Sequence, residues 1–364
     1  KFSLKVGKTL KEKPNWELTE RQWLMKQVQP ATPIPSEPEV GFDEIGLYAD
    51  VPFSIITQRF RYIEPTTFMM GSPESEEGRY NWEDHHQVTL SQGYWLAEES
   101  CTQELWRAIM GENPSRFTEI YANPVENVSW LDVQSFISNL EQRHPRLAIQ
   151  LPSEAQWENA CRAGTTTPFS FKENIRLEIV NYRGLWELEK DENDDYKWHE
   201  DAKRKTVPTK SLPPNPWGLY EMHGNVWEWC FDEWQENLGT DPQVDPVQAQ
   251  FKSGVKPDPA GGSLTSTSLF NSEMLENADD SNVQRVLRGG SWNVNGRYCR
   301  SAIRTHGVAG YRFRFIGFRL SLGLELQHSA VSRSDKAAAT SEQAEPNRER
   351  RGAAEGFDQA GSGI

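Results

Sequence analysis

Cys299 and the 23 residues that surround it, Asn293 to Phe315, hold the most unusual chemistry in the chain. They place Tyr298, Ile303, Thr305, His306, Tyr311, Phe313 and Phe315 beside Arg312 and Arg314, and include no Lys, Glu, Gln, Met or Trp. Those five types make up about a quarter of the chain, so chance would exclude them from so long a run with a probability on the order of one in a thousand. Every type that is present can be written from the asparagine codon AAC by changing only its adenines, and none of the five absent types can. The mixture follows neither the two-residue nor the 3.6-residue period of a buried element. The segment therefore reads as a contact surface, whose chemistry is recognition by aromatic rings and guanidinium groups. The other reading is a core segment poor in long polar side chains.

Covalent and metal chemistry has fewer footholds. Cys101, Cys161, Cys230 and Cys299 lie far apart with no Cys-x-x-Cys pair, so neither a disulfide framework nor a structural zinc site is indicated, and reduced thiols are the simplest reading. The histidines, His85-His86, His144, His199, His223, His306 and His328, offer no His-x-x-x-His pair on a helix. There is no phosphate-cradling glycine loop and no His-Glu-x-x-His signature; the run Ala260-Gly-Gly-Ser263 lacks the lysine of a nucleotide site and reads as a loop. Glu98-Glu99 and Asp279-Asp280 read as ordinary acidic surface pairs.

Several elements must position the segment. Ser153-x-x-Gln156 after Pro152 is a capping box that starts a helix running to about Ala163, with Gly164 as its stop. A second box, Ser129-x-x-Asp132, leads into Val133, Phe136, Ile137 and Leu140, an amphipathic stripe. Leu105, Trp106 and Ile109 predict a shorter helix closed by Gly111, and Phe60–Ile63, Val88–Leu90 and Tyr94–Leu96 read as short strands between Gly, Pro and Asn punctuation. Fourteen Trp predict a core of large rings whose polar edges need partners. The pattern is α+β with sparse regular structure and long loops, without an internal repeat.

One main domain is expected over 47–322. An extension with a Pro-rich linker, 1–46, precedes it, and a tail, 323–364, too poor in large apolar residues to order itself, follows it. A formal charge of −14 argues against nucleic acid and anionic membranes as partners. No apolar run reaches the length of a membrane span and no leader is visible, so the cytoplasm is the default expectation for location; the chain begins at Lys1, which leaves an upstream segment open.

Six motifs stand in a fixed order: Phe68-Met-Met-Gly71-Ser72, Pro124-Val-Glu-Asn-Val-Ser-Trp130, Leu151-Pro-Ser-Glu-Ala-Gln-Trp-Glu158, Gly218-Leu-Tyr-Glu-Met-His-Gly-Asn-Val-Trp-Glu-Trp229, Arg288-Gly-Gly-Ser-Trp292 and Gly317-Phe-Arg319. With them, residues 58–322 resemble the formylglycine-generating enzyme, or sulfatase-modifying factor, superfamily. That resemblance implies a C-type-lectin-like fold. Its oxidases hold copper between two thiols near the C-terminus. Cys299 and Ser291 match that site, but Val294 stands where the other thiol belongs, so copper is not expected. An oxidase acting on a cysteine of a protein substrate, through Cys299 and Ser291, remains the alternative. The sulfoxide synthase relatives use a three-histidine iron site that this chain does not offer.

A third branch is more similar: the variable proteins of diversity-generating retroelements, which carry a scrambled C-terminal segment on the same fold. It implies a ligand-binding protein without catalysis, diversified over 293–315, with Asn293, Val294, Asn295, Tyr298, Ile303, Thr305, His306, Tyr311, Phe313 and Phe315 at substituted positions. The partner would be a protein or other macromolecule. Gly289 and Gly290 would turn the backbone, Trp292, Phe318 and Arg319 would anchor the ends, and Tyr298, Tyr311, Phe313 and Phe315 would be the hot spots. The resemblance also implies structural calcium, on the Glu221 and Glu228 side chains with the carbonyls of Gly224 and Val226, and on Asn181 and Asp195 with the carbonyl of Tyr182. Glu221 is longer than the residue usual there, and the acidic stretch Glu187–Asp201 reads equally well as a solvated face. His223, inside Met-His-Gly-Asn, is expected to make a structural hydrogen bond.

Overall fold

A computed structural model describes residues 37–171, 174–187, 189–190, 197–247 and 282–323. Three sheets and three helices position everything that follows. The largest sheet is antiparallel throughout, in the order β1 (Glu39–Phe42), β2 (Leu47–Phe53), β3 (Ile56–Ile63), β6 (Tyr94–Ala97), β13 (Ser321–Leu322) and β7 (Ile149–Gln150). A second sheet runs β11 (Arg304–Val308), β10 (Gln284–Arg288), β8 (Trp227–Glu233), β12 (Ile316–Phe318), with β12 parallel to β8. The third pairs β4 (Thr66–Met70), β5 (His86–Leu90) and β9 (Gln243–Val244). The fold is α+β with few helices and long connections, as the sequence predicts.

Part of the expected extension, 1–46, is a strand. β1 lies inside 1–46 and pairs Gly41 with Tyr48, because Asp43 closes the hairpin turn: its carboxylate accepts the Ile45 N–H at 3.0 Å and meets Arg61 at 2.7 Å. The hydrogen bond from Arg61 holds the Asp43 carboxyl down at about 2. Residues 1–36 and 324–364, along with Ala260–Ser263, Asp279-Asp280 and His328, lie outside the described residues.

The helices form where the caps place them. Thr102 accepts the Leu105 N–H to start α1 (Gln103–Met110), which Gly111 closes in the left-handed region at φ 86°. Ser129 and Asp132 exchange both bonds of a capping box at α2 (Trp130–Arg143), and Ser153 and Gln156 do so at α3 (Glu154–Arg162). The stop of α3 comes one residue before the expected glycine, at Ala163, which itself takes φ 45°.

Rings fill the core. Trp106 stacks on Phe136 at 5.0 Å and Phe318 packs edge-on to both. Indole N–H groups find partners inside: Trp229 on the Val128 carbonyl, Trp130 on the Cys230 carbonyl, Trp157 on the Glu228 carboxylate. Less expected are the buried ions. Arg288, Arg300, Arg304 and Arg319 rank among the largest fully buried side chains, each joined to glutamates. Glu98 and Glu99 belong to this class and correct the surface reading: both are buried, and Lys210 Nζ bridges them at 2.9 and 2.8 Å.

Candidate functional site

The segment 293–315 is launched from the end of β10 by Gly289 and Gly290, at φ +98° and +76°. A Cβ on Gly290 would sit 2.5 Å from the Tyr298 carbonyl oxygen, so this turn needs glycine for space as well as for backbone angle. Ser291 then donates to Asn293 Oδ1 at 2.7 Å, and a short 3-10 turn, Gly296–Cys299, brings the chain back against the glycines.

From there the chain dives inward. Arg288 fans into the carbonyls of Ser301, Ala302 and Ile303, at 3.0, 3.1 and 2.6 Å, and into the Glu158 carboxylate. Arg300 grips Glu83 with both terminal nitrogens and Glu76 at 2.6 Å; Arg304 forks onto Glu154 at 2.6 and 2.8 Å. The glutamates among these partners come from loops and helices more than a hundred residues away, and together the contacts hold Cys299 to Arg304 out of water. Two of the expected contact residues are caught in this. Ile303 is buried among the carbonyls that Arg288 binds, and Asn295 is buried at the head of the 3-10 turn, where its carbonyl accepts the Tyr298 N–H at 3.1 Å. Neither faces solvent.

The other eight divide into three groups. Tyr311 and Phe313 are exposed, at 42% and 37%, and form a ladder with half-buried Phe315: successive ring centroids stand 4.7 and 4.8 Å apart. The backbone beneath is held at fixed points, with Asn127 N–H donating to the Phe313 carbonyl at 2.9 Å and Trp227 N–H to that of Phe315 at 2.8 Å. Between the rings, Arg312 forks onto Asp132 at 2.6 Å and Arg314 lies over the Trp292 ring at 5.5 Å. The second group sits on β11, the sheet's edge strand, where exposed His306 packs on Trp234 at 4.7 Å beside half-buried Thr305. In the third, half-buried Tyr298 accepts a 2.7 Å bond from the Tyr80 hydroxyl, and Tyr80 stacks on Trp82 at 4.8 Å. Burial pushes the Tyr80 phenol up to about 12. Half-buried Asn293 and Val294 are tied down through their carbonyls to Arg183, at 2.9 and 2.8 Å.

The residues of an oxidase site are placed differently. Cys299 is fully buried and burial pushes its thiol far above the ordinary range, which works against a thiolate. Val294 packs against the cluster that Cys299 forms with Phe169, Val180 and Tyr182, so hydrocarbon stands at the position where the family's second thiol belongs. Ser291 is buried too. His223 stacks edge-on with Phe169 and Phe171, donates from Nδ1 to the Cys299 carbonyl at 2.7 Å and accepts the Ser170 N–H on Nε2 at 3.2 Å; burial pushes its pKa down to about 4, so it is a neutral, structural imidazole.

The calcium ligands implied by resemblance fit unevenly. Both oxygens of Glu228 are already committed: Oε1 accepts from Ser100 and Arg319 at 2.7 and 2.8 Å, Oε2 from Trp157 and Arg319 at 2.7 Å each. A guanidinium supplies the positive charge there, and Glu228 does not fit a cation in addition. Glu221 accepts the backbone N–H groups of Lys210 and Leu212, and burial pushes its carboxyl up to about 7. The carbonyls of Gly224 and Val226 stay in the same loop. Asn181 Oδ1, in contrast, is buried with no hydrogen-bond partner, next to buried Tyr182; Asp195 lies outside the described residues. Among the described residues no three His, Cys, Asp or Glu side chains converge as a metal site.

Rings from outside the segment complete the exposed face: Tyr80, Trp82, Phe117 and Trp198 were not legible as site residues. The spacing Tyr80-x-Trp82 in an otherwise polar loop was the one available signal; Phe117 and Trp198 carry none.

Comparison with known proteins agrees with this architecture. Residues 57–322 match the sulfatase-modifying factor enzyme 1-like domain. The formylglycine-generating enzyme of Bos taurus is 26% identical over 240 residues, 65% of this chain and 52% of that protein. That of Thermomonospora curvata is 27% identical over 230 residues, 62% of this chain and 63% of that protein. The chain thus spans about half to two thirds of the length of these relatives. Among solved structures, Treponema denticola variable protein 1 superposes with a TM-score of 0.55 at 26% identity, covering 75% of this chain and 98% of that one. PvdO from Pseudomonas aeruginosa, at 22% identity, a TM-score of 0.57 and coverage of 79% and 99%, shares the fold.

Proposed function

The chain belongs to the sulfatase-modifying factor family, and on that premise we propose that it is a ligand-binding member, gripping a protein or other macromolecule through the solvent side of residues 293–315 as a retroelement variable protein. The observation that carries this reading is the ladder Tyr311, Phe313, Phe315: two exposed rings stacked on each other, the second leaning on half-buried Phe315, on a backbone fixed from below. Exposed rings contribute little to folding and much to a contact surface, since they offer area at low rotamer cost. The likeness to Treponema denticola variable protein 1 supports the same reading. So does buried Cys299, whose cluster is packed by Val294 in place of a second thiol, an arrangement ill suited to two-thiol copper chemistry.

Sequencing the DNA around the coding region tests the proposal. The expected result is a near-copy of the stretch encoding 293–315, differing at adenines, beside a reverse transcriptase. Oxygen uptake with copper and a cysteine-containing peptide, lost in Cys299→Ser, would overturn it. Calcium enters this reading only at Asn181, whose orphaned Oδ1 suits a hard cation; a melting temperature unmoved by a chelator would remove it.

A further inference from the structure

Next to the ladder, four guanidinium groups gather around one stack of rings; Arg183, over Trp198 at 4.2 Å, is bonded to the Asn293 carbonyl, and the other three are Arg116, Arg204 and Arg314. Trp292 is buried and Trp198 half-buried, with centroids 5.8 Å apart and planes 18° from parallel; Phe117 meets Trp292 edge-on at 5.4 Å. Arg314 lies over Trp292 at 5.5 Å, Arg204 over Trp198 at 5.6 Å, and Arg116 adjoins Phe117. All three arginines are exposed. Among the described residues none of the three forms an ion pair, whereas Arg297 and Arg312 on the same segment reach Glu187 and Asp132.

The carboxyl that faces two of them does not satisfy them. Glu126 is fully buried, and its Oε1 is held by the backbone N–H groups of Arg116 and Phe117, while Oε2 has no hydrogen-bond partner. Arg116 and Arg314 are both near enough to lower its pKa, yet burial dominates and raises it to about 7. Near neutrality a partly protonated carboxyl leaves the cluster with excess positive charge. The chain carries −14, and of the five Arg in 293–315, a stretch with no Asp or Glu, only Arg314 has no acidic partner among the described residues.

We infer that this cluster, granted that the face is a binding surface, takes an acidic polypeptide segment, with Asp or Glu carboxylates against Arg116, Arg204 and Arg314 and apolar side chains on Tyr311 and Phe313. Guanidinium groups suit carboxylates because planar forks meet planar acceptors with two parallel bonds. A short acidic segment needs only the local positive charge. A nucleic acid would extend past it along a chain of net charge −14, where charges beyond roughly 8 Å are screened but acidic groups closer than that repel.

Panning a phage-displayed library of random peptides tests this on the full chain, on R116A/R204A/R314A and on Y311A/F313A. The enriched peptides should carry an excess of Asp and Glu. Synthetic copies, followed by fluorescence anisotropy, should bind the arginine variant about tenfold more weakly, with the melting temperature unchanged, and should weaken as salt is raised. Peptides without an acidic excess, or with equal affinity for the arginine variant, overturn the inference while leaving the binding face in place if Y311A/F313A still abolishes capture. A mixed-sequence single-stranded RNA that binds more tightly than any selected peptide overturns it as well. If no peptide depends on Tyr311 and Phe313, the underlying reading falls with it.

Discussion

Two stretches of the same segment, Cys299–Arg304 and Tyr311–Phe315, draw on one restricted alphabet and end in opposite environments. In the first, arginines are buried and clamped: Arg300 by Glu76, Glu83 and the Gly78 carbonyl, Arg304 by Glu154 and the carbonyls of Trp82 and Gln235. In the second, arginines lie in water, Arg312 forked onto Asp132 and Arg314 laid over an indole, with rings stacked between them. Composition does not separate the two. What does is whether distant loops supply carboxylates, because a buried guanidinium is tolerable only when paired and fully hydrogen-bonded.

The strongest way to break this contrast is to remove a buried cation. Arg300→Ala leaves Glu83 and Glu76 buried and uncompensated, and should cost about 3–5 kcal/mol in denaturant unfolding; a loss below about 1 kcal/mol would erase the distinction. Next comes pH. Glu126, beneath the exposed stretch, and Glu221 have carboxyls raised by burial from 4.5 to about 7. Between those values the native chain holds more protons than the unfolded one, so their contribution to stability falls as pH rises and is least above about 7. Each of E126Q and E221Q should therefore gain on the parent between pH 5 and pH 8, by roughly 2.5 kcal/mol, in thermal melts across that range. A smaller effect is expected for Arg312→Ala, an exposed pair worth under about 1 kcal/mol and further weakened by salt. Smallest is Tyr311→Ala with Phe313→Ala, which should leave the melting temperature within a few degrees of the parent; a large fall would place the ladder in the core.

Much of the scaffold was legible because its signals are local. Ser129 with Asp132 and Ser153 with Gln156 announce helices within four residues, and the observed α2 and α3 begin where those boxes say. The exposed ladder was legible for a similar reason, as a run of rings and arginines with no buried period. The buried half of the segment was not. Arg300 meets Glu83 across 217 positions and Arg304 meets Glu154 across 150, and nothing near Ile303 reveals that its carbonyl will be bound by Arg288. Glu98 and Glu99 fail in the same way, since the lysine that justifies their burial is Lys210. The pairing of Glu228 with Arg319, which displaces the expected cation, likewise spans 91 positions.

One consequence follows from β13, which lies between β6 and β7 in the largest sheet. During translation, strands made early wait for Ser321 and Leu322 before their hydrogen bonds close. A chain cut short anywhere before them lacks that stitch, so β7 loses the strand it pairs with and β6 keeps an open edge.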